Sequence, residues 1–167
     1  MVEEITLTSL AYGKMMDFAT LHAPREVIGV CAGIKENIDV TISEVYPMNV
    51  GSNSYVELTD ENYEEIPVFL ASLRAKNPQL QLIGWFHSHP FGGAHSIYMS
   101  RTDIAYHKNA QQFFGEWLSL ILDPYEQHNA SLSYGVKAFT LQLKGFWRFK
   151  TMRPVQIPVT ILRSEYE

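Results

Sequence analysis

Apolar and polar residues alternate along this chain in two rhythms, one of period two and one close to 3.6. Ile5–Thr8 reads as a short strand, and Leu10, Met15, Phe18 and Ala19 then recur at helical spacing. The spacing predicts a helix over Ser9–Leu21 with Ser9 as N-cap, closed by Pro24. Val27–Gly33 and Asp39–Tyr46 read as strands joined by a turn at 37-NID-39. Thr59 or Asp60 caps a second predicted helix that carries Ile66, Phe69, Leu70 and Leu73 to about Lys76. Gln81–Phe86 is a dense apolar strand, and Ser100–Phe113 is a third helix that starts at a Ser-x-x-Asp signal. Leu118–Leu122 is a buried strand stopped by Asp123-Pro124. Val136–Leu143, Phe146–Lys150 and Val155–Leu162 are further predicted strands. The expected architecture is α/β, a mixed central sheet flanked by helices, in a single domain over residues 1–167.

Composition narrows the field of functions. Of the 167 residues, 46% are hydrophobic and 19% charged, the balance of an ordinary globular chain. The net charge of −5 and the lack of any long basic run argue against nucleic acid as a partner. No apolar run is long enough to span a bilayer, so no membrane partner is expected. Glu3 and Glu4 stand where a secretory signal would be basic, and the one cysteine, Cys31, forms no internal disulfide. A cytoplasmic location is the expectation.

The chemistry concentrates in 83-IGWFHSHPFGGAHSIYMSRTD-103. On a strand, residues i and i+2 share a face, so His87 and His89 present two imidazoles to one side and Ser88 points the other way. Two histidines ending the most apolar strand of the chain need a reason to be there. Ser100 and Asp103 make a helix cap, and a carboxylate in a first helical turn is held ionised by the helix dipole. Two imidazoles and one carboxylate are a donor set suited to catalytic zinc, with a position left for water. Glu26, in 24-PREVIGVCAG-33, is the acid at the mouth of a buried strand and the candidate base.

Together, Glu26 in 26-EVIGV-30, His87-x-His89 and Ser100-x-x-Asp103 resemble the JAMM (MPN-plus) metalloprotease signature. The likeness extends to 82-LIGWFHSHP-90 and 118-LSLILDPY-125, and runs from about Ile5 to Leu143. Within that family the chain is similar to the proteasome-lid deubiquitinase and its archaeal homologues. The resemblance implies an MPN, cytidine-deaminase-like fold and one Zn²⁺ per chain on His87, His89 and Asp103. It makes Glu26 the general acid/base and Ser100 the hydroxyl that supports the oxyanion. It implies an isopeptidase acting after the C-terminal Gly-Gly of ubiquitin or a ubiquitin-like modifier, with such conjugates and the proteasome as expected partners. Homo-oligomerisation is a separate expectation, with the oligomeric state itself not fixed by the sequence. Two alternatives stand beside it: a peptidase trimming sulfur-carrier proteins or short peptides, and a non-catalytic MPN scaffold. Such scaffolds lose ligand residues that this chain keeps.

One departure is visible. The family spaces its second histidine and serine by seven residues, whereas ten lie between His89 and Ser100. The longer loop is expected to rim the substrate groove, pliable at Gly92 and Gly93, with Phe91, Ile97 and Tyr98 facing the substrate. His107, His128 and Cys31 are isolated, so no second zinc is expected.

Overall fold

A computed structural model describes residues 1–162. Its elements run β1 (Glu4–Leu7), α1 (Ser9–His22), β2 (Val27–Glu36), β3 (Asp39–Val50), α2 (Asp60–Lys76), β4 (Gln81–Ser88) and α3 (Arg101–Phe114). They continue as β5 (Leu118–Leu122), two short 3-10 turns, β6 (Val136–Lys144), β7 (Thr151–Ile157) and β8 (Val159–Ile161). The strands form one mixed sheet in the order β7-β6-β5-β4-β2-β3-β1-β8. This is the α/β architecture, a mixed central sheet flanked by helices, that the sequence leads one to expect. No helix of the described residues is long and apolar enough to cross a membrane.

The sheet is covered on both faces at its centre, which is why β4 and β5 read as continuous apolar runs rather than alternating ones. Against one face α1 lays Ala11, Met15, Met16 and Ala19 over Leu7, Val27, Cys31, Phe86 and Leu120. Against the other, α2 and α3 bring Ile66 and Ala110 onto Ile28, Val30, Trp85 and Trp117. Full burial of each large aliphatic or aromatic side chain contributes about 1.5–3 kcal/mol, so these two layers hold the sheet rigid. β4 also approaches β5 closely, because a Cβ at Gly84 would run into the Leu118 carbonyl.

Several sequence expectations shift. Thr8, not Ser9, caps α1, its hydroxyl accepting from the Ala11 amide at 3.2 Å. The β2–β3 hairpin is longer at both ends than expected, and turns at Asn37 with φ 58°. Phe146–Lys150 is no strand but the turn between β6 and β7, where Gly145 (φ 130°) and Trp147 (φ 55°) leave the extended region. The final predicted strand, Val155–Leu162, is divided: Pro158 separates β7, paired with β6, from β8, paired with β1.

Candidate metal centre

His87 near the C-terminal end of β4 and His89 just past it lie on the face that also carries Trp85. Both are buried. Ser88 turns to the opposite face and its hydroxyl accepts from the Val27 amide at 3.0 Å, tying the end of β4 to the start of β2. Ile28 pairs with His87 in the antiparallel register, so Glu26, two residues before Ile28, lies level with His89. The Glu26 backbone is fixed in turn by the loop after β3: its amide donates to the Ser52 carbonyl and its carbonyl accepts from Gly51, each at 2.8 Å.

Asp103 arrives from the first turn of α3. Ser100 caps that helix, its hydroxyl accepting from the Asp103 amide at 3.1 Å, while Asp103 Oδ2 accepts from the Ser100 amide at 2.7 Å. This reciprocal capping box clamps the carboxylate in one orientation. Asp103 Oδ1 is 3.2 Å from His87 Nε2, Oδ2 is 3.4 Å from His89 Nε2, and the two Nε2 atoms are 3.1 Å apart. His89 Nδ1 lies 3.1 Å from the Ser96 carbonyl. Donation there leaves Nε2 as the ring's free lone pair, the usual way a ligand imidazole is oriented.

The donor triangle fits a tetrahedral ion. With metal–nitrogen and metal–oxygen bonds of about 2.1 Å, tetrahedral geometry spaces its donors by roughly 3.4 Å. His87, His89 and Asp103 already hold nearly that spacing, and together they can bind a metal ion.

Electrostatics match this reading. Burial pushes the His87 imidazole below its ordinary pKa, against the pull of Asp103. At His89 burial acts in the same direction, but hydrogen bonding to Asp103 and the charges of Asp103 and Glu26 outweigh it and raise the pKa. Burial also opposes ionisation of Asp103, yet hydrogen bonds to His87, His89 and Ser100 hold its carboxyl well below the usual range. Glu26 behaves differently. Burial raises its carboxyl to about 7, where it can both take and return a proton near neutrality.

These side chains open into one cavity of about 260 Å³, walled by Tyr55, Trp85, Phe91 and Tyr98, with Glu26 and Ser100 in its lining. The Tyr55 hydroxyl lies 2.9 Å from that of Tyr106, and both tyrosines bond the Glu57 carboxylate. The Pro90–Met99 loop is better anchored than its glycines suggest. Gly92 donates to the buried Asp123 carboxylate at 2.8 Å, and Gly93 to Glu126 at 2.6 Å. Phe91 and Tyr98 are half-exposed, as expected of a rim, but Ile97 is buried with Met99, Ile121 and Phe139 and faces the core. The sequence reading missed Ser88, the Ser96 carbonyl, Asp123 and the Tyr55–Tyr106 pair. Only Asp123 carried a signal, as a turn acid directly after a buried strand.

Residues 1–116 match the protein-family model described as JAB1/Mov34/MPN/PAD-1 ubiquitin protease. Among similar proteins, COP9 signalosome complex subunit 5 of Debaryomyces hansenii is 29% identical over 119 residues, covering 71% of this chain and 25% of the relative. COP9 signalosome complex subunit 5b of Arabidopsis thaliana is 23% identical over 166 residues, covering 99% of this chain and 42% of the relative. NAD(+) hydrolase TcpA of a Theionarchaea archaeon is 22% identical over 143 residues, covering 85% of this chain and 41% of that protein. The chain thus spans about a quarter to two fifths of the length of these relatives.

Proposed function

The chain belongs to the JAB1/Mov34/MPN/PAD-1 family, and on that premise we propose that it is a zinc-dependent isopeptidase that removes ubiquitin or a ubiquitin-like modifier after its C-terminal Gly-Gly. In this reading residues 1–167 are one MPN metalloprotease domain, His87, His89 and Asp103 hold one Zn²⁺, and Glu26 and Ser100 act on the substrate. The observation that carries it is the near-tetrahedral donor triangle with a buried carboxylate, Glu26, opening into the same cavity.

A zinc ion in that triangle supplies Lewis acidity, which makes water nucleophilic near neutral pH and polarises a carbonyl. Glu26 takes a proton from the attacking water as its oxygen bonds to the carbonyl carbon. The Ser100 cap uses its oxygen as an acceptor, so its O–H remains available to donate to the developing oxyanion. The carbon–nitrogen bond then breaks and Glu26 delivers its proton to the departing lysine amine. The products are a free Gly-Gly carboxylate and a free amine. Tyr55, Trp85, Phe91 and Tyr98 exclude bulk water from the reacting atoms and hold the tail in place.

The family description, a ubiquitin protease, supports a ubiquitin-like substrate, and the COP9 signalosome subunits among its relatives make a multi-subunit assembly of signalosome or proteasome type a candidate setting. The test is direct. Incubated with Gly-Gly-linked ubiquitin and ubiquitin-like conjugates, the purified protein should cleave after the second glycine. It should lose that activity to a chelator and regain it with zinc. His87→Ala/His89→Ala should contain no stoichiometric zinc. Cleavage that survives both chelation and the double substitution would overturn the assignment.

A further inference from the structure

The β6–β7 ribbon has no part in the chemistry above, and it is built unlike the rest of the chain. β5 pairs with β6 only over Val136–Phe139, so from Thr140 to Lys144 the strand has β7 alone as its sheet partner. Leu141 is still held through its backbone to Gln111 of α3, and from there to Lys144 this strand of the ribbon pairs with β7 alone among the described residues. Its tip, 144-KGFWRFK-150, holds out Phe146, Trp147 and Phe149 at 81%, 79% and 84% exposure. The Phe146 and Trp147 rings lie parallel, with centroids 6.5 Å apart. Three large aromatics so placed cost solubility in a free monomer and mark a contact surface. Aromatic residues and arginine are also the types most enriched where proteins meet.

The charge of the tip identifies what it contacts. Lys144, Arg148, Lys150 and Arg153 surround the aromatics, and no acidic residue stands between Glu126 and Glu165. The rest of an acidic chain supplies the complement. On the outer side of α2, Glu61, Glu64 and Glu65 rim a groove of about 470 Å³ whose floor is Phe69, Tyr46 and Val68. Tyr46 stacks on Phe69 with centroids 4.9 Å apart, and the Glu65 charge beside it raises the phenol's pKa. In the sheet β6 is separated from β3 by β5, β4 and β2, and both surfaces are open, so the tip does not fill the groove of its own molecule.

We propose that the β6–β7 tip of one copy docks into the α2 groove of a second copy, with Trp147 and its neighbours on the Tyr46–Phe69 floor and the tip cations against the three glutamates. The contact is heterologous: each copy offers one knob and one groove. The tip lies at the far end of β6 from Val136, the residue that pairs with Leu122 beside the metal-binding end of the sheet. Docking therefore keeps the knob away from the metal cavity of its own copy.

Charge reversal tests this with folding controlled by circular dichroism. Sedimentation velocity on the full chain should show mass that rises with concentration and falls with added salt. Arg148→Glu/Lys150→Glu and Glu64→Lys/Glu65→Lys should each be monomeric at every concentration. Mixed one to one, they should assemble, because both cross-pairings of knob and groove are then complementary. Trp147→Ala should weaken wild-type association at least tenfold while its melting temperature stays unchanged. A wild-type chain that remains monomeric at the highest concentration reached would overturn the proposal. So would association indifferent to both reversals, or failure of the mixed variants to assemble. A monomer whose tip instead binds phosphatidylserine vesicles would assign the ribbon to a membrane surface and equally overturn it.

Discussion

At the scale of single residues, Glu26 is the side chain whose state depends most on its surroundings. Burial holds its pKa near 7 rather than at the ordinary 4.5. The sign of the resulting pH dependence follows from proton linkage. Between those two values the folded, metal-free protein keeps a proton that the unfolded chain has released, so stability falls as pH rises through about 7. Glu26→Gln removes the ionisation while keeping the shape. In chelated protein the variant should therefore gain on the wild type as pH is raised from 5 to 8, by up to roughly 3 kcal/mol. Thermal denaturation at both pH values measures this, and a difference independent of pH would mean that Glu26 is not buried as a neutral acid. The same variant should bind zinc normally and lose turnover by orders of magnitude, since an amide accepts no proton from water. His107 illustrates the opposite outcome. It follows Asp103 by one helical turn, yet it is enclosed by the core beside Trp85, and burial pushes its pKa down to about 4. It is a core residue, outside the donor set.

At the scale of elements, the site is where three of them converge: the end of β4, the start of β2 and the first turn of α3. Ser100 caps α3 and, in the proposed mechanism, also donates to the oxyanion. Ser100→Ala should cost about 1 kcal/mol of stability through the lost cap and about 10²–10³ in rate through the lost oxyanion donor. Ser100→Thr should restore most of both. Full activity in the alanine variant would remove the hydroxyl from the mechanism. The loop between His89 and Ser100 hangs on Asp123. Asp123→Asn weakens its bond to the Gly92 amide and should speed hydrogen exchange across 90–99, with a fall in stability of roughly 1–2 kcal/mol. Unchanged exchange would show that Asp123 does not anchor the loop. Much of this convergence was legible in the sequence because it is local: the same-face histidines follow from the strand period, and the Asp103 carboxylate from the cap signal. What was not legible depends on distant partners. Ser88 gives no sign that it will meet Val27, nor Ile97 that it will turn inward onto Phe139. Phe146–Lys150 imitates a strand in composition, and only the positive φ at Gly145 and Trp147, between the paired strands β6 and β7, makes it a turn.

At the scale of the whole molecule, the sheet decides how a substrate can approach. β4, with His87 near its end and His89 just beyond it, lies at the centre of the sheet, paired on both sides by β2 and β5, and among the described residues the free edges are β7 and β8. A modifier tail therefore cannot reach the site by extending this sheet. In the proposed function it enters through the cavity lined by the loop after β3 and the loop before α3. That cavity holds only about 260 Å³ between Tyr55, Trp85, Phe91 and Tyr98. The aromatic walls are held in turn, Trp85 by its indole donating to Ser119 at 3.1 Å and Tyr55 through Tyr106 and Glu57. A passage walled by anchored aromatic rings admits a tail without side chains and resists one that carries them. Forcing added methylenes into such a space costs about 1–3 kcal/mol, which corresponds to roughly five- to 150-fold in an equilibrium or rate. Replacing the penultimate glycine of a cleaved modifier tail with leucine should lower kcat/KM within that range, whereas the same change several residues upstream, outside the cavity, should do far less. Trimming the wall with Tyr98→Ala should recover part of the loss for the leucine substrate while slowing the glycine one. Equal kcat/KM for the two tails on the wild-type protein would show that the cavity does not select for glycine, and that recognition rests on the folded part of the modifier instead.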